Sequence, residues 1–188
     1  MKTTTKLFIS LAVILTLTAC GQKWQKAVNL TIDEITAAKT EISEMKEAIK
    51  NFTGPEGEIP NLEIIRLANA YQKLGDLKKV ADLYLSWLNK GFKTKAIINN
   101  LGRVYEEAQE FESAAKQYQR LIDEYGDDDY LYDITWVYIH AATAATGADR
   151  VEYRKKAEKF FNLWQLAKKQ TDEQTQEEIK KLREGEAP

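Results

Sequence analysis

The sequence predicts an all-α protein: a short solenoid of helical hairpins preceded by a long amphipathic helix with a coiled-coil-like pattern. Three observations carry that expectation. Asn61–Leu88 and Lys95–Ile122 align without gaps at an offset of 34 residues, and self-similarity at a fixed period of this size marks stacked repeats. Asp129–Gln170 continues with a third pair of helical patterns at altered spacing. Upstream, apolar residues recur every seven positions from Trp24 to Phe52, the period of one helix face.

The first element is an address. Met1–Lys6 carries two positive charges and no acid, and Leu7–Thr18 is apolar or hydroxylic throughout. That is the layout of a secretory signal, with a core too short for a comfortable membrane span. Cys20 is the single cysteine of the chain. It can build neither a disulfide nor a structural zinc site alone. The run Leu17, Thr18, Ala19, Cys20 resembles the lipobox of bacterial lipoproteins. The resemblance implies a signal peptide over residues 1–19, cleavage before Cys20, a diacylglyceryl thioether on its sulfur and a further acyl group, such as palmitate, on its new amino terminus. Two or more chains anchor a protein stably, at about 0.8 kcal/mol per buried methylene. Gly21 resembles the outer-membrane sorting pattern of Gram-negative lipoproteins, so the implied place is the cell envelope, on the outer membrane facing the periplasm.

Removing residues 1–19 takes away Lys2 and Lys6 and leaves 25 basic against 29 acidic side chains, a net charge of −4. An acidic balance gives no electrostatic reason to expect nucleic-acid binding. The lack of a second cysteine suits an oxidising exterior.

Residues 20–52 follow as anchor and helical stalk. Val28, Ile35, Ile42 and Ile49 form one heptad set, and Trp24, Thr31, Ala38, Met45 and Phe52 the interleaved one. Glu34 with Lys39, and Glu41 with Lys46, take flanking positions where charges pair between chains. Two readings stand side by side: a self-associating coiled coil through residues 22–52, or an amphipathic helix folded back over the first repeat. Extended, ~30 helical residues reach ~45 Å. A Gly/Pro-rich linker, residues 53–60, should end the helix.

The repeat region spans residues 61–170. Leu67 matches Leu101, Tyr71 matches Tyr105, and Tyr84 matches Tyr118. Ala68 and Gly102 are small residues at matching positions, and Ala114 is another small residue of the second segment. Gly75–Asp76 reads as a tight turn with an N-cap for the next helix. These residues at a 34-residue period resemble the tetratricopeptide repeat. Val80, Trp87, Phe92 and Gly126 depart from that pattern at a small position, an alanine position and two proline positions. The third unit pairs Asp129–Thr146 with Asp149–Gln170, longer by about two to three helical turns, with Asp149 and Glu152 spaced as a capping box. Ala157, Phe161 and Trp164 fall at the spacing of its second helix. End repeats are often atypical caps. The charged tail, residues 171–188, has Ile179 and Leu182 as its large apolar residues and reads as a solvated helix or disorder.

Chemistry-bearing motifs are sparse. His140 is the single histidine and reads as a partly buried helix residue. Gly126–Tyr130, "GDDDY", lacks the ligand alternation and distal glutamate of a calcium loop. No Gly-rich phosphate loop, G-x-S-x-G elbow or H-E-x-x-H occurs. No metal, cofactor or enzymatic activity is expected.

The resemblance instead implies a concave face lined by the first helix of each unit, where extended or helical peptides bind. Carried over position by position, the face comprises Leu62, Ile65, Arg66, Asn69, Gln72 and Lys73, then Ala96, Asn99, Asn100, Arg103, Glu106 and Glu107. In the looser third unit it comprises Tyr130, Asp133 and His140. Asn69 and Asn100 fall where the family's carboxylate clamp has asparagines, but Ile65 replaces its first lysine, so that specificity is not expected. Lipoproteins built from such repeats resemble assembly factors of outer-membrane β-barrels and accessory factors of pilus assembly. The expectation is a lipid-anchored scaffold that binds other envelope proteins. Its rivals are an oligomerising structural lipoprotein and an enzyme acting on cell-wall glycans with two carboxylates ~5–9.5 Å apart.

Overall fold

A computed structural model of the protein describes residues 23–51 and 61–185, with the side chains of Asn61 and Leu62 excepted. The signal segment, Cys20, Gly21, Phe52, the linker over 53–60 and the Leu62 side chain lie outside the described residues. Those described form helices and connecting segments, with a single isolated β-bridge. None of these helices is long and apolar enough to cross a membrane.

Residues 23–31 depart from the expected continuous helix. The Lys26 amide donates to the Gly75 carbonyl at 2.9 Å, and the Leu77 amide donates to the Trp24 carbonyl at 3.1 Å. Gln25 and Asp76 therefore form an antiparallel bridge, and the segment lies as an extended strap on the first hairpin turn. The helix starts instead at Ile32 (α1, Ile32–Lys50). Thr31 and Glu34 fix that start reciprocally: the Glu34 amide donates to Thr31 Oγ1 at 3.2 Å, and the Thr31 amide to Glu34 Oε2 at 2.8 Å. Such a box satisfies donors that a helix start would otherwise leave orphaned. Trp24, Val28 and Thr31 thus drop out of the heptad seam, and α1 is ~28 Å long rather than ~45 Å.

Much of the described remainder of the seam is spent inside the chain. Ala38, Ile42 and Met45 are buried where α1 packs on α2 (Asn61–Lys73). Of the two readings of this helix, the fold-back over the first repeat is the one observed. Glu41 pairs with Lys73 of α2 at 3.1 Å, within one chain.

The first unit pairs α2 with α3 (Leu77–Asn89), and the second pairs α4 (Lys95–Glu107) with α5 (Phe111–Tyr125). Their turns are built alike. The Asp76 amide donates to the Tyr71 carbonyl at 3.1 Å, and the Glu110 amide, 34 residues on, donates to the Tyr105 carbonyl at 2.8 Å. Asp76 caps α3 by accepting from the Lys79 amide at 3.1 Å. Gly102 is small because α5 comes so close: a Cβ there would lie 2.8 Å from Tyr118 Cε1.

In the third unit, α6 (Tyr130–Ala144) pairs with α7 (Gly147–Lys168). The expected Asp149–Glu152 capping box does not form. The N-cap is Thr146, three residues earlier, which leaves Asp149 in the first turn, and Glu152 pairs with Lys156 at 2.9 Å. The tail is also not left to solvent. A last helix, α8 (Glu173–Glu184), packs on α6 and α7 and buries Thr175, Ile179 and Leu182. Each large apolar side chain so buried contributes roughly 1.5–3 kcal/mol. Asp172 caps α8 by accepting from the Thr175 amide at 2.8 Å, and it also accepts from the Tyr132 hydroxyl of α6 at 3.0 Å.

One apolar core runs through the whole stack, from Ile42 and Met45 to Ile179 and Leu182. In it α1 takes the place of the second helix of a preceding unit, and α8 that of the first helix of a following one.

Candidate binding groove

The first helices of the three units, α2, α4 and α6, bear the residues expected on the concave face. Apolar positions such as Ile64, Leu67, Ile97, Leu101, Ile134 and Val137 face the core, so the intervening polar positions are turned outward by helical geometry. Asn69, Gln72, Asn100, Arg103 and Glu107 come together around a polar pocket of about 170 Å³, joined by Val104 and by Tyr84 of α3. Gln72 Nε2 donates to Glu107 Oε1 at 2.9 Å, and Asn100 Nδ2 donates to the Tyr84 hydroxyl at 3.4 Å. Burial raises the Tyr84 phenol above its ordinary range, against the opposing Asn100 bond, so Tyr84 stays a neutral hydroxyl. Asn69 and Arg103 are exposed and make no hydrogen bond or ion pair among the described residues. Their donors stand open to a partner.

Tyr84 lies on the second helix of its hairpin, so the first-helix positions do not predict it. Its match to Tyr118 marked it as a repeat position, not as a lining residue. Lys26 likewise enters from outside the repeats. Its ammonium reaches Glu107 Oε2 at 3.3 Å, so the strap touches the rim of the pocket.

Other expected residues fall elsewhere. Arg66 is exposed, and Ile65 and Asn99 are half-buried, all outside this pocket. Lys73 turns to Glu41 of α1. Ala96 is exposed at the start of α4. Tyr130 serves packing: its ring stacks on Tyr118 at 5.8 Å, and Lys95 lies over its face at 5.4 Å.

Glu106 continues the face towards the third unit. It receives His140 Nδ1 at 2.8 Å, an interaction that raises the imidazole above its ordinary value. His140 also meets the Trp136 ring at 5.7 Å. Nearby, Asp133 is pushed up to about 6, by desolvation first and the Glu106 charge second, with Arg103 opposing. The face therefore changes character along its length. Amides and a guanidinium dominate at α2 and α4, and carboxylates with an aromatic ring at α4 and α6. Open amides and guanidinium groups bond peptide backbone and carboxylates well. Among the described residues, no three His, Cys, Asp or Glu side chains are grouped to hold a metal ion.

No protein-family model matches the chain, and no curated protein matches it. Among solved structures it is similar to a tetratricopeptide repeat protein from Parabacteroides merdae, with a TM-score of 0.56 and 18% identity. The match takes in 88% of this chain and 62% of the other, so the chain spans less than two thirds of that protein's length. All-helical hairpins stacked in register, with this likeness behind them, give the chain a tetratricopeptide-like fold.

Proposed function

We propose that the protein is a lipid-anchored scaffold of the bacterial envelope, held to the outer membrane through Cys20, that binds a segment of another envelope protein on its concave face. The observation that carries the reading is the polar pocket of Asn69, Gln72, Tyr84, Asn100, Arg103 and Glu107, in which Asn69 and Arg103 are exposed and make no hydrogen bond or ion pair among the described residues. Amides spaced along adjacent helices suit the alternating donors and acceptors of an extended peptide. An accessory role in assembling an outer-membrane or pilus complex fits a scaffold of this size.

The reading is tested by placing a photoreactive residue at Arg103, and separately at Lys116 of α5, in cells. Crosslinked species are then identified by mass spectrometry. The scaffold reading expects one discrete partner from position 103 and none from 116. Capture of the same neighbours from both positions would remove the groove from the account. The mass of the N-terminal peptide tests the anchor separately.

A further inference from the structure

The strap sets where the groove can stand relative to the proposed lipid anchor, and the inference that follows rests on that anchor. Lys26 is fixed in three ways. Its amide bonds Gly75, its carbonyl crowds Gly75 so closely that a Cβ there would lie 2.2 Å away, and its ammonium pairs with Glu107 of the pocket. Two residues before it, Trp24 meets Tyr105 edge-on at 5.9 Å, and Lys23 pairs with Glu110 at 2.6 Å. The strap is thus bound to the hairpin turns of both the first and the second unit.

Only Gly21 and Gln22 separate Cys20 from Lys23. Even fully extended, the six steps from Cys20 to Lys26 cover at most ~20 Å. We propose that the edge carrying the hairpin turns of the first and second units lies against the bilayer, and that the pocket, whose rim Lys26 touches within ~20 Å of the acylated residue, takes a membrane-proximal segment of a partner. A stalk ~45 Å long is not available to lift the groove away.

The edge does not adhere by charge. Lys23, Lys26, Lys78 and Lys79 are each paired, with Glu110, Glu107, Asp82 and Asp76 respectively. Paired charges leave little net field for anionic lipids, so the acyl groups and the short leash set the orientation. The second helices run away from this edge. Lys78 and Asn89 stand at opposite ends of α3, separated by ~16 Å along its axis.

The test uses the full-length protein purified from membranes, carrying K78C or N89C labelled with a fluorophore, in vesicles containing a lipid-borne quencher. Intact mass of the N-terminal peptide is recorded on the same samples. The proposal expects the label at 78 to be quenched at least twofold more than that at 89. Insertion of ten Gly/Ser residues between Gln22 and Lys23 should erase the difference while thermal unfolding stays unchanged. Acylated protein with equal quenching at the two sites, or with the order reversed, overturns the orientation and leaves the scaffold intact. An N-terminal peptide without acyl mass overturns the anchor, and this inference with it.

Discussion

Lys26 donates its amide to the Gly75 carbonyl at 2.9 Å while its own carbonyl oxygen occupies the space a Gly75 Cβ would need. Gly75 sits at φ +73°, so the position asks twice for a residue without a side chain. Gly75→Ala carries the left-handed penalty of about 1–2 kcal/mol and drives the strap off its seat. The expected result is a lower urea midpoint, with fast hydrogen exchange at Lys26 and Leu77. Retained protection at those amides would contradict the strap's geometry.

Gly102 tests the crossing of α4 and α5. An added methyl would lie 2.8 Å from the Tyr118 ring, itself buried. Overpacking a filled core costs typically 1–3 kcal/mol. Gly102→Ala should destabilise the protein by that order in urea unfolding, and Gly102→Ala with Tyr118→Phe by nearly as much, since the contact is with ring carbons. Neutral behaviour of the single variant would show that the two helices stand further apart.

The repeats were legible because their signals are side chains at fixed offsets: Leu67 and Leu101, Tyr71 and Tyr105, Gly75 and Asp76. The strap was not. Its pairing runs through backbone atoms, which leave no residue pattern except Gly75, and its side chains also fit a heptad. Thr31-Ile32-Asp33-Glu34 did spell the true helix start, as a capping box, within a longer periodic run. The docked tail leaves a weak apolar signature because one of its three buried positions is Thr175, whose hydroxyl bonds the Tyr132 hydroxyl at 3.2 Å. A threonine does not count towards an apolar stripe until its partner is known. In the groove, the first-helix residues could be placed by position, but Tyr84 and Lys26 enter from other elements.

That docking makes Ile179→Ala informative. Large-to-small changes in a core cost about 2–5 kcal/mol, and a small terminal helix should fall at the low end. A clear drop in the unfolding midpoint is expected. No change would return the tail to solvent.

The acidic end of the groove should make stability depend on pH. His140 is raised by its Glu106 bond, so that stabilisation is complete below the unfolded value near 6.5 and fades as pH rises through the folded one. Asp133, facing Glu106, Arg103 and Asp129, is pushed up to about 6. The folded state then binds more protons than the unfolded one between about pH 4 and 6, and stability falls as pH rises across that window. Both effects run the same way. Neighbouring groups crowd the Asp133 carboxylate while the side chain keeps an exposed side, so solvent screens the effect: Asp133→Asn should stabilise the protein at pH 7.5, by less than about 1 kcal/mol, and flatten the acid limb of the pH profile. Destabilisation by the same substitution would mean that the carboxylate is held by a favourable partner.

The central claim is that the face shared by α2 and α4 recognises polypeptide. Its most direct measurement is the affinity of the crosslinked partner segment, as a synthetic peptide, for the wild type and for Arg103→Ala and Asn100→Ala by calorimetry. The account expects each substitution to weaken binding about tenfold, ~1.4 kcal/mol, with thermal unfolding of Arg103→Ala shifted little, since that exposed side chain makes no hydrogen bond or ion pair among the described residues and acts on Asp133 only through its charge. Equal affinities across the three proteins would contradict it.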